Sequence, residues 1–141
     1  MKILIFGLPG SGKTTLAKPF AELIGGIHIN ADTIRKKYDD WDFSPDGRIR
    51  QAQRMRHLAD GVEMAGKIAV ADFVCPTEQA RKEFAPDYTV WMDTINAGRF
   101  ADTNAIFENP PNCDYHVGKW FTDTPAQLMP VVQRWMEKNN V

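Results

Sequence analysis

The sequence is poor in cysteine, nearly balanced in charge and free of long hydrophobic runs. Its two cysteines, Cys75 and Cys113, lie in contexts unlike a zinc-ligand pair, so the sequence predicts neither a disulfide framework nor a metal knuckle. The formal net charge of -1 gives no overall attraction to nucleic acid or to an anionic membrane, although a local basic patch is compatible with it. Cys75 follows an apolar run and precedes proline, which favours a buried, unreactive thiol over a catalytic one.

The N-terminal apolar run is too short for a targeting or membrane segment. Five apolar residues precede Gly7, whereas the core of a signal peptide needs at least about seven and a membrane span about 20. Together with the reduced state expected of the cysteines, this predicts a cytoplasmic protein that does not associate with a membrane. No internal repeat, low-complexity tract or linker divides the chain, so residues 1–141 are predicted to form a single domain.

Short apolar runs alternate with helical patterns along the chain. This alternation is typical of βαβ units and predicts an α/β fold with a mostly parallel, five-stranded sheet flanked by helices. The continuous apolar character of the runs favours strands that helices cover on both faces. The predicted strands are residues 2–6, 27–30, 68–73, 88–93 and 115–118, and the predicted helices are residues 13–24, 32–38, 46–66, 77–85 and 125–138.

Several helix ends carry their own sequence signals. Ser44 followed by Pro45 is typical of an N-cap with proline at the first helical position, and residues 124–127 repeat the pattern with a capping-box glutamine. Pro19 and Pro130 fall inside predicted helices, where proline removes a backbone donor and clashes with the preceding turn. We therefore expect a kink or an early break at each of these two prolines.

Residues 7–14 read Gly-Leu-Pro-Gly-Ser-Gly-Lys-Thr and match the pattern G-x-x-x-x-G-K-[ST], between a predicted strand and a predicted helix as the pattern requires. In such a loop, backbone N–H groups converge on phosphates and the following helix directs its positive end at the bound anion. Lys13 is expected to reach the β- and γ-phosphates of ATP, and the Thr14 hydroxyl to ligate Mg²⁺. The predicted nucleotide-binding residues are Gly7, Pro9, Gly10, Ser11, Gly12, Lys13, Thr14 and Thr15.

Asp72 is a second predicted magnesium ligand. It follows the apolar residues 68–71, so its carboxylate is expected at the carboxyl end of a strand, on the side of the phosphate loop. The alternative is an aspartate that caps a helix or stabilises a turn. The position beside the loop favours the metal role over this alternative.

The second predicted strand leads into Asp32 and Arg35, three residues apart at the same edge of the sheet. Such a pair suits an acceptor site, because a carboxylate takes up or orients the proton of an attacking hydroxyl and a guanidinium grips an anionic group. The alternative is an Asp32 that caps a helix beside an exposed Arg35.

The predicted helix 46–66 carries polar residues at the start of its apolar stripe. Arg48 and Gln51 lie on this stripe at the end nearest the sheet's carboxyl edge, where pocket lining is favoured over burial without partners. Phe43, just before the helix, is placed to stack on a base. Residues Arg50, Arg54 and His57 fall on another face, which favours a solvated surface; a track for a polynucleotide backbone is the alternative.

Through most of its length the chain resembles adenylylsulfate kinase, a P-loop kinase that phosphorylates the ribose 3′-hydroxyl of adenylylsulfate with MgATP. Residues 7–17 resemble that family's phosphate loop, 29–35 its D-G-D-N-[IV]-R segment, 42–54 its F-S-x-x-x-R-x-x-N-x-x-R stretch, 73–81 its I-S-P-[YF]-x-x-x-R and 102–110 its G-I-D-D-P-Y-E-x-P. The resemblance implies a three-layer nucleotide-kinase fold. It also implies an acceptor site that contains Asp32, Arg35, Phe43, Arg48 and Gln51, to which the aromatic Phe107 of the last segment is added.

The chain departs from the family pattern at several site positions. Asn30 and Ala31 replace the first acid and the glycine, Gln51 replaces asparagine, Cys75 replaces serine, and Asp72 stands where the family usually has a small hydroxyl residue. These changes bear on the identity of the acceptor.

Residues 93–110 have neither helical nor strand periodicity and replace a longer, basic lid of the family. We interpret them as a shortened lid and an acceptor loop, in which Arg99 is the candidate to neutralise charge on the transferring phosphoryl group.

The sequence therefore predicts transfer of the ATP γ-phosphoryl group to a hydroxyl of a nucleotide-type acceptor, with Lys13, Asp32 and Arg99 as catalytic residues and ATP and Mg²⁺ as cofactors. One alternative is a kinase acting on a polynucleotide, at a 5′-hydroxyl or a hydroxymethylated base of DNA or RNA. Another is an NTP-dependent switch without an acceptor. The pattern leaves the oligomeric state open.

Overall fold

The computed structural model describes residues 1–98 and 100–141 and contains a parallel five-stranded sheet between two layers of helices. The strands are β1 (Lys2–Phe6), β2 (Ile27–Asn30), β3 (Ala69–Asp72), β4 (Tyr88–Met92) and β5 (Tyr115–Val117). Their order across the sheet is β2-β3-β1-β4-β5, and each neighbouring pair is parallel. The predicted α/β fold and all five predicted strands are confirmed, with ends that differ by at most one residue.

Helices fill the connections between the strands. They are α1 (Lys13–Ile24), α2 (Ala31–Tyr38), α3 (Pro45–Met64), α4 (Glu78–Phe84), α5 (Ala101–Ile106) and α6 (Thr124–Lys138). The sequence predicted all of these except α5, which lies in the stretch interpreted as a loop. This helix is six residues long and its N-cap, Phe100, makes no capping hydrogen bond through its side chain, so it carries neither periodicity nor a start signal. No described helix is both long and apolar enough to span a bilayer.

The two predicted helix starts have different outcomes. The Ser44 side chain accepts a hydrogen bond from the backbone N–H of Gly47 at 3.2 Å, with Pro45 at the first helical position, as predicted. Helix α6 instead begins at Thr124 itself, whose hydroxyl accepts from the N–H of Phe121 at 2.9 Å. The prediction of a capping Thr124 is therefore wrong by one residue.

The expected early breaks at the internal prolines are also wrong. Pro19 lies within α1 and Pro130 within α6, and both helices continue on either side of the ring. The two helices contact each other and share one apolar cluster with the sheet, so tertiary packing outweighs the local cost of each proline.

The core is divided by the sheet into two apolar clusters. Alternation along β1 sends Ile3 and Ile5 toward α1 and α6, and Leu4 and Phe6 toward α3 and α4. Both faces of the sheet are therefore covered, and the carboxyl ends of the strands form the edge at which polar side chains collect.

Arg81 is a buried cation that joins two loops at this edge. It is only 7% exposed. Its Nε donates to the carbonyl of Cys75 at 3.0 Å, and its Nη2 donates to the carbonyls of Pro76 at 3.2 Å and Glu108 at 2.6 Å. The guanidinium also lies 4.4 Å from the ring centre of Phe6. Arg81 thus ties the loop after β3 to the segment after α5.

We expect Arg81→Ala to lower the free energy of unfolding by about 3 kcal/mol, because the carbonyls that it binds lose a charged donor inside the protein. Urea unfolding measures this change. Lys82→Ala, at an exposed position on the same helix, serves as the control and is expected to change stability by no more than about 0.5 kcal/mol. Equal stabilities for the two variants would contradict the tying role.

Candidate active site

A cavity of about 720 Å³ opens at the carboxyl edge of the sheet and runs from the phosphate loop to the start of α3 and to α5. It brings together twelve of the residues that the sequence singles out: Pro9, Gly10, Gly12, Lys13, Thr14, Thr15, Asp32, Arg35, Phe43, Arg48, Gln51 and Asp72. Of the other predicted site residues, Gly7, Ser11 and Phe107 do not line it, and Arg99 lies outside the described residues.

The phosphate loop packs closely against the end of β4. A Cβ on Gly7 would lie 2.5 Å from the carbonyl oxygen of Met92, so only glycine fits there. Gly12 has φ +94° and caps α1, a left-handed conformation that also favours glycine. The Ser11 hydroxyl is buried and has no hydrogen-bond partner among the described residues. A loop of this shape, ahead of a helix N-terminus, fits a bound polyphosphate.

Lys13 is held at the mouth of this loop. Its Nζ donates to the carbonyl of Leu8 at 3.1 Å. Burial lowers the pKa of Lys13 to about 8, while the charges of Asp72 and Asp32 act in the opposite direction. At neutral pH the side chain therefore remains a cation whose hydration has been partly removed, which strengthens its attraction to a phosphate.

Thr14 and Asp72 supply adjacent oxygens beside Lys13. The Thr14 hydroxyl donates to Oδ1 of Asp72 at 3.2 Å, and Asp72 is 2% exposed. No cluster of three or more acidic, histidine or cysteine ligands occurs in the described parts of the chain. Mg²⁺ prefers oxygen donors and commonly takes only one or two from protein, the rest from phosphates and water. The pair therefore fits the predicted Mg²⁺.

The start of α2 places Asp32 in the cavity without a capping role. Asn30 is the N-cap, since its side chain accepts from the N–H of Thr33 at 3.0 Å. Asp32 is exposed in the first turn of α2, near enough to Lys13 to affect its pKa. The alternative of a helix-capping Asp32 is therefore wrong.

Two guanidinium groups lie close to the ring of Phe43. Arg35 lies 4.3 Å and Arg48 5.3 Å from the centre of its ring, which is about half exposed. Arg35 is buried and donates to the carbonyls of Asp40 at 3.0 Å and Asp42 at 3.3 Å, so it is not the exposed side chain of the alternative interpretation. The result is a cationic wall with an aromatic centre.

Arg48 links this wall to α5. Its Nε donates to the carbonyl of Phe43 at 2.9 Å, and its Nη2 donates to the hydroxyl of Thr103 at 3.1 Å. Asp102 and Thr103 of α5 line the same cavity. Helix α5, which the sequence did not predict, therefore forms one side of the candidate acceptor site.

Gln51 and two arginines of its helix, Arg50 and Arg54, bind partners within the protein. Gln51 donates to the carbonyl of Ala31 at 3.1 Å and accepts from Arg54 at 2.9 Å. Arg54 and Arg50 both bind the Asp40 carboxylate, at 3.0 and 2.8 Å. Hydrogen bonds from Arg50 and Arg54 hold the pKa of Asp40 well below its usual value. The arginines are thus neutralised locally, and they offer little to a polynucleotide backbone.

Three other residues that the sequence singled out have different outcomes. Phe107 does not line the cavity: its ring stacks on Phe6 with centroids 6.5 Å apart, under Arg81. Arg99 lies outside the described residues, and its predicted role stays a prediction. Cys75 lines the cavity but is buried, and burial raises the pKa of its thiol far above the ordinary value, consistent with an unreactive residue.

Residues 93–98 support the phosphate loop, a role that sequence reasoning missed. The Thr94 hydroxyl donates to the carbonyl of Ser11 at 2.7 Å. A Cβ on Gly98 would lie 2.9 Å from the carbonyl oxygen of Pro9, and the Asn104 side chain binds both the N–H and the carbonyl of Gly98. The position of Thr94 just beyond the end of β4 is the only signal that the sequence offered, and it is weak.

We expect Thr94→Val to weaken ATP binding by up to about tenfold, the effect of one lost hydrogen bond. In a trans peptide the carbonyl of Ser11 and the N–H of Gly12 point in opposite directions, so anchoring the first orients the second, a predicted phosphate donor. Calorimetry measures the affinity. Thr94→Ser retains the hydroxyl and should bind as the unaltered chain does; equal losses in both variants would exclude this anchoring.

Comparison with known proteins gives matches to nucleotide-binding and kinase families. A family model described as an AAA domain matches residues 3–86. A probable adenylyl-sulfate kinase of Aeropyrum pernix is 31% identical over 88 residues, which cover 56% of this chain and 46% of the relative. An adenylate kinase of Pyrococcus furiosus is 38% identical over 88 residues, which cover 62% of this chain and 37% of the relative. The matched region therefore spans less than half the length of either relative.

The fold is similar to that of solved kinases over nearly the whole chain. The structure of the Mycobacterium tuberculosis APS kinase CysC, in complex with AMPPNP and APS, has a TM-score of 0.77 at 17% sequence identity and covers 94% of this chain and 96% of that one. The resemblance to adenylylsulfate kinase found in the sequence is thus confirmed in fold, and the predicted P-loop kinase architecture is confirmed with it.

Proposed function

The chain belongs to the AAA domain family, and because its relatives and structural neighbours include kinases we propose that it is an ATP-dependent kinase that transfers the γ-phosphoryl group to a hydroxyl of a small, nucleotide-type acceptor. The observation that carries the proposal is the single cavity in which Lys13 and Thr14 of the phosphate loop face Asp32 and Arg48 of the acceptor side. Residues 1–141 act in this proposal as one kinase domain, in the cytoplasm.

The phosphate side of the cavity binds and orients the donor. Backbone N–H groups of residues 10–14 surround the β-phosphate, and the Lys13 cation reaches the γ-phosphate. Thr14 and Asp72 hold Mg²⁺, which when bound neutralises charge on the β- and γ-phosphates. These side chains thus hold the γ-phosphate in position for transfer, and none of them forms a covalent bond to it.

The acceptor side supplies a proton acceptor. The Asp32 carboxylate lies at the exposed first turn of α2 and lines the same cavity as the phosphate loop. It takes up the proton of the acceptor hydroxyl as the new O–P bond forms and the bond to the ADP oxygen breaks. Arg99 remains the proposed donor of positive charge to the transferring group.

The lining of the acceptor side supports an aromatic, anionic acceptor. Trp41, Phe43 and Phe100 present large aromatic surfaces around the same cavity, with Arg35 and Arg48 beside Phe43. Aromatic rings stack on bases, and guanidinium groups bind phosphate or sulfate oxygens. A free nucleotide satisfies both requirements, and adenylylsulfate is our first candidate because of the A. pernix relative and the APS complex of the M. tuberculosis enzyme.

The direct test is incubation with γ-labelled ATP and parallel acceptor pools: adenylylsulfate, other nucleotides and nucleosides, and plain or hydroxymethylated DNA. We expect label in the free-nucleotide pool only. Label in DNA, together with an affinity for DNA that falls steeply as salt rises, would instead indicate a polynucleotide kinase. Hydrolysis without any labelled acceptor would favour the NTP-dependent switch.

A further inference from the structure

Two side chains of β2 hold Asp72, and the proposed function leaves both without a role. Asn30 is the direct partner of Asp72 in the parallel register of β2 and β3, and His28 lies two residues before it. Ile29, between them, packs in the cluster of α3 and α4. Because side chains alternate along a strand, His28 and Asn30 share the opposite face, toward α1 and Thr14.

The two oxygens of the Asp72 carboxylate share the Asn30 amide, which also lies 3.3 Å from Oδ2, but their other partners differ. Oδ2 contacts Nε2 of His28 closely. Oδ1 receives the Thr14 hydroxyl and the Asn30 amide, each at 3.2 Å. Hydroxyl donors normally approach an oxygen to about 2.5–3.0 Å, so the contact from Thr14 is weak. Oδ1 is therefore the oxygen that can exchange its protein partners for a metal ion or a water of its hydration shell.

We propose that His28 is a positioning residue for the magnesium site: by binding Oδ2 it fixes the Asp72 carboxylate so that Oδ1 faces the Thr14 hydroxyl. This inference rests on the proposed function, in which Thr14 and Asp72 hold Mg²⁺. Groups that bind a metal ligand from behind commonly change metal affinity by about 10- to 100-fold when they are removed.

Holding Asp72 also keeps it apart from Lys13. The two side chains carry opposite charges and line the same cavity, so they attract each other. Nevertheless, Nζ of Lys13 donates to the carbonyl of Leu8 and forms no salt bridge with Asp72 in the described structure. A carboxylate free to rotate toward Lys13 would neutralise the cation that the phosphates need. His28 and Asn30 oppose that rotation by occupying Asp72 from the β2 side.

The sequence departures fit the same inference. The chain has an amide at Asn30, where the resembled family has an acid, and an acid at Asp72, where that family usually has a small hydroxyl residue. The two positions face each other across neighbouring strands, so a carboxylate at position 72 stands one strand spacing, about 4.8 Å, from position 30. A carboxylate on β3 requires its own orienting partner, and His28 is placed to be that partner.

The test compares nucleotide binding with and without magnesium. In calorimetric titrations with AMPPNP at a series of Mg²⁺ concentrations, we expect His28→Ala to need about tenfold more Mg²⁺ for half-maximal enhancement of binding. Binding in EDTA should stay unchanged, because the backbone amides and Lys13 are intact. His28→Gln, which retains a side-chain N–H donor, should restore most of the response. His57→Ala, at an exposed position on α3, is the control and should match the unaltered chain.

Several results would overturn the inference. One is an unaltered Mg²⁺ dependence in His28→Ala; another is an equal loss of affinity with and without Mg²⁺, which indicates a purely structural role. Thermal unfolding of the same samples identifies a variant that does not fold, and His28→Leu, which fills the volume without a donor, then replaces His28→Ala. A failure of the unaltered chain to bind AMPPNP would instead refute the proposed function, so the two failures are distinguishable.

Discussion

Lys13→Ala is expected to reduce kcat/KM for ATP by about a thousandfold or more. The substitution removes the only side-chain cation that the phosphate loop itself contains, and preorganised groups that meet developing charge in a water-poor site have effects of about this size or larger. The assay should follow transfer from γ-labelled ATP at pH 7, where a lysine with a pKa of about 8 is mostly protonated. At this pH the loss of kcat/KM therefore measures the effect of removing the positive charge of Lys13.

The matched control for this variant is Lys18→Ala. Lys18 lies on the same helix and is exposed, so its removal changes the net charge equally without touching the phosphate loop. We expect its kcat/KM to stay within about twofold of the unaltered chain, as is usual for surface positions. If the two variants lost activity to the same extent, Lys13 would have no special place in the reaction.

Asp32→Asn is expected to lower kcat by about 100- to 1000-fold while leaving the affinity for ATP nearly unchanged. A positioned general base contributes about 10²–10⁴ to the rate, and an amide of the same shape cannot accept the proton. The carboxylate lies on the acceptor side of the cavity, and its effect on the phosphate loop is the electrostatic one on Lys13. Single-turnover transfer measures the chemical step, and calorimetry measures ATP binding.

Asp39→Asn provides the control for this second variant. Asp39 lies at the other end of the same helix in a left-handed conformation that asparagine accepts readily, and it is exposed. Its rate should equal that of the unaltered chain. A full rate in Asp32→Asn would remove Asp32 from the mechanism, whereas a parallel loss of ATP affinity would indicate that it supports nucleotide binding instead.

The parts of the fold that the sequence predicted are those in which local pattern and tertiary structure agree. The central strands β1 and β3 are buried at every residue, so their apolar runs predict strands that helices cover on both faces. The phosphate loop is similarly local as a sequence pattern: its glycines, lysine and threonine stand at fixed spacings within residues 7–14, and this spacing alone predicted the loop. These features needed no knowledge of distant contacts.

The features that were missed depend on contacts between distant parts of the chain. Helix α5 is held by Arg48 through Thr103, by the Asn104–Gly98 hydrogen bonds and by Arg81 just beyond its end, none of which leaves a local pattern. Phe107 was predicted to bind substrate from its place in a motif, yet it stacks on Phe6. Motif position fixes a residue along the chain, and packing decides the side to which it turns.

The acceptor side shows the same division between motif and context. The resemblance to adenylylsulfate kinase grouped Asp32, Arg35, Phe43 and Arg48 at one site, and all four line one cavity. It could not show that Asn30, rather than Asp32, caps α2, or that Asn30 and His28 bind Asp72. Those contacts arise from the register between β2 and β3, which is a property of the assembled sheet.

The central claim is that backbone amides of the loop between β1 and α1 bind a triphosphate, and an NMR titration tests it most directly. A ¹⁵N-labelled sample would be titrated with AMPPNP and Mg²⁺ while the backbone amide resonances are followed. The account predicts saturable shifts that are largest for residues 10–15 and smaller at Asp32 and Asp72. An absence of shifts, or shifts confined to another part of the surface, would contradict it.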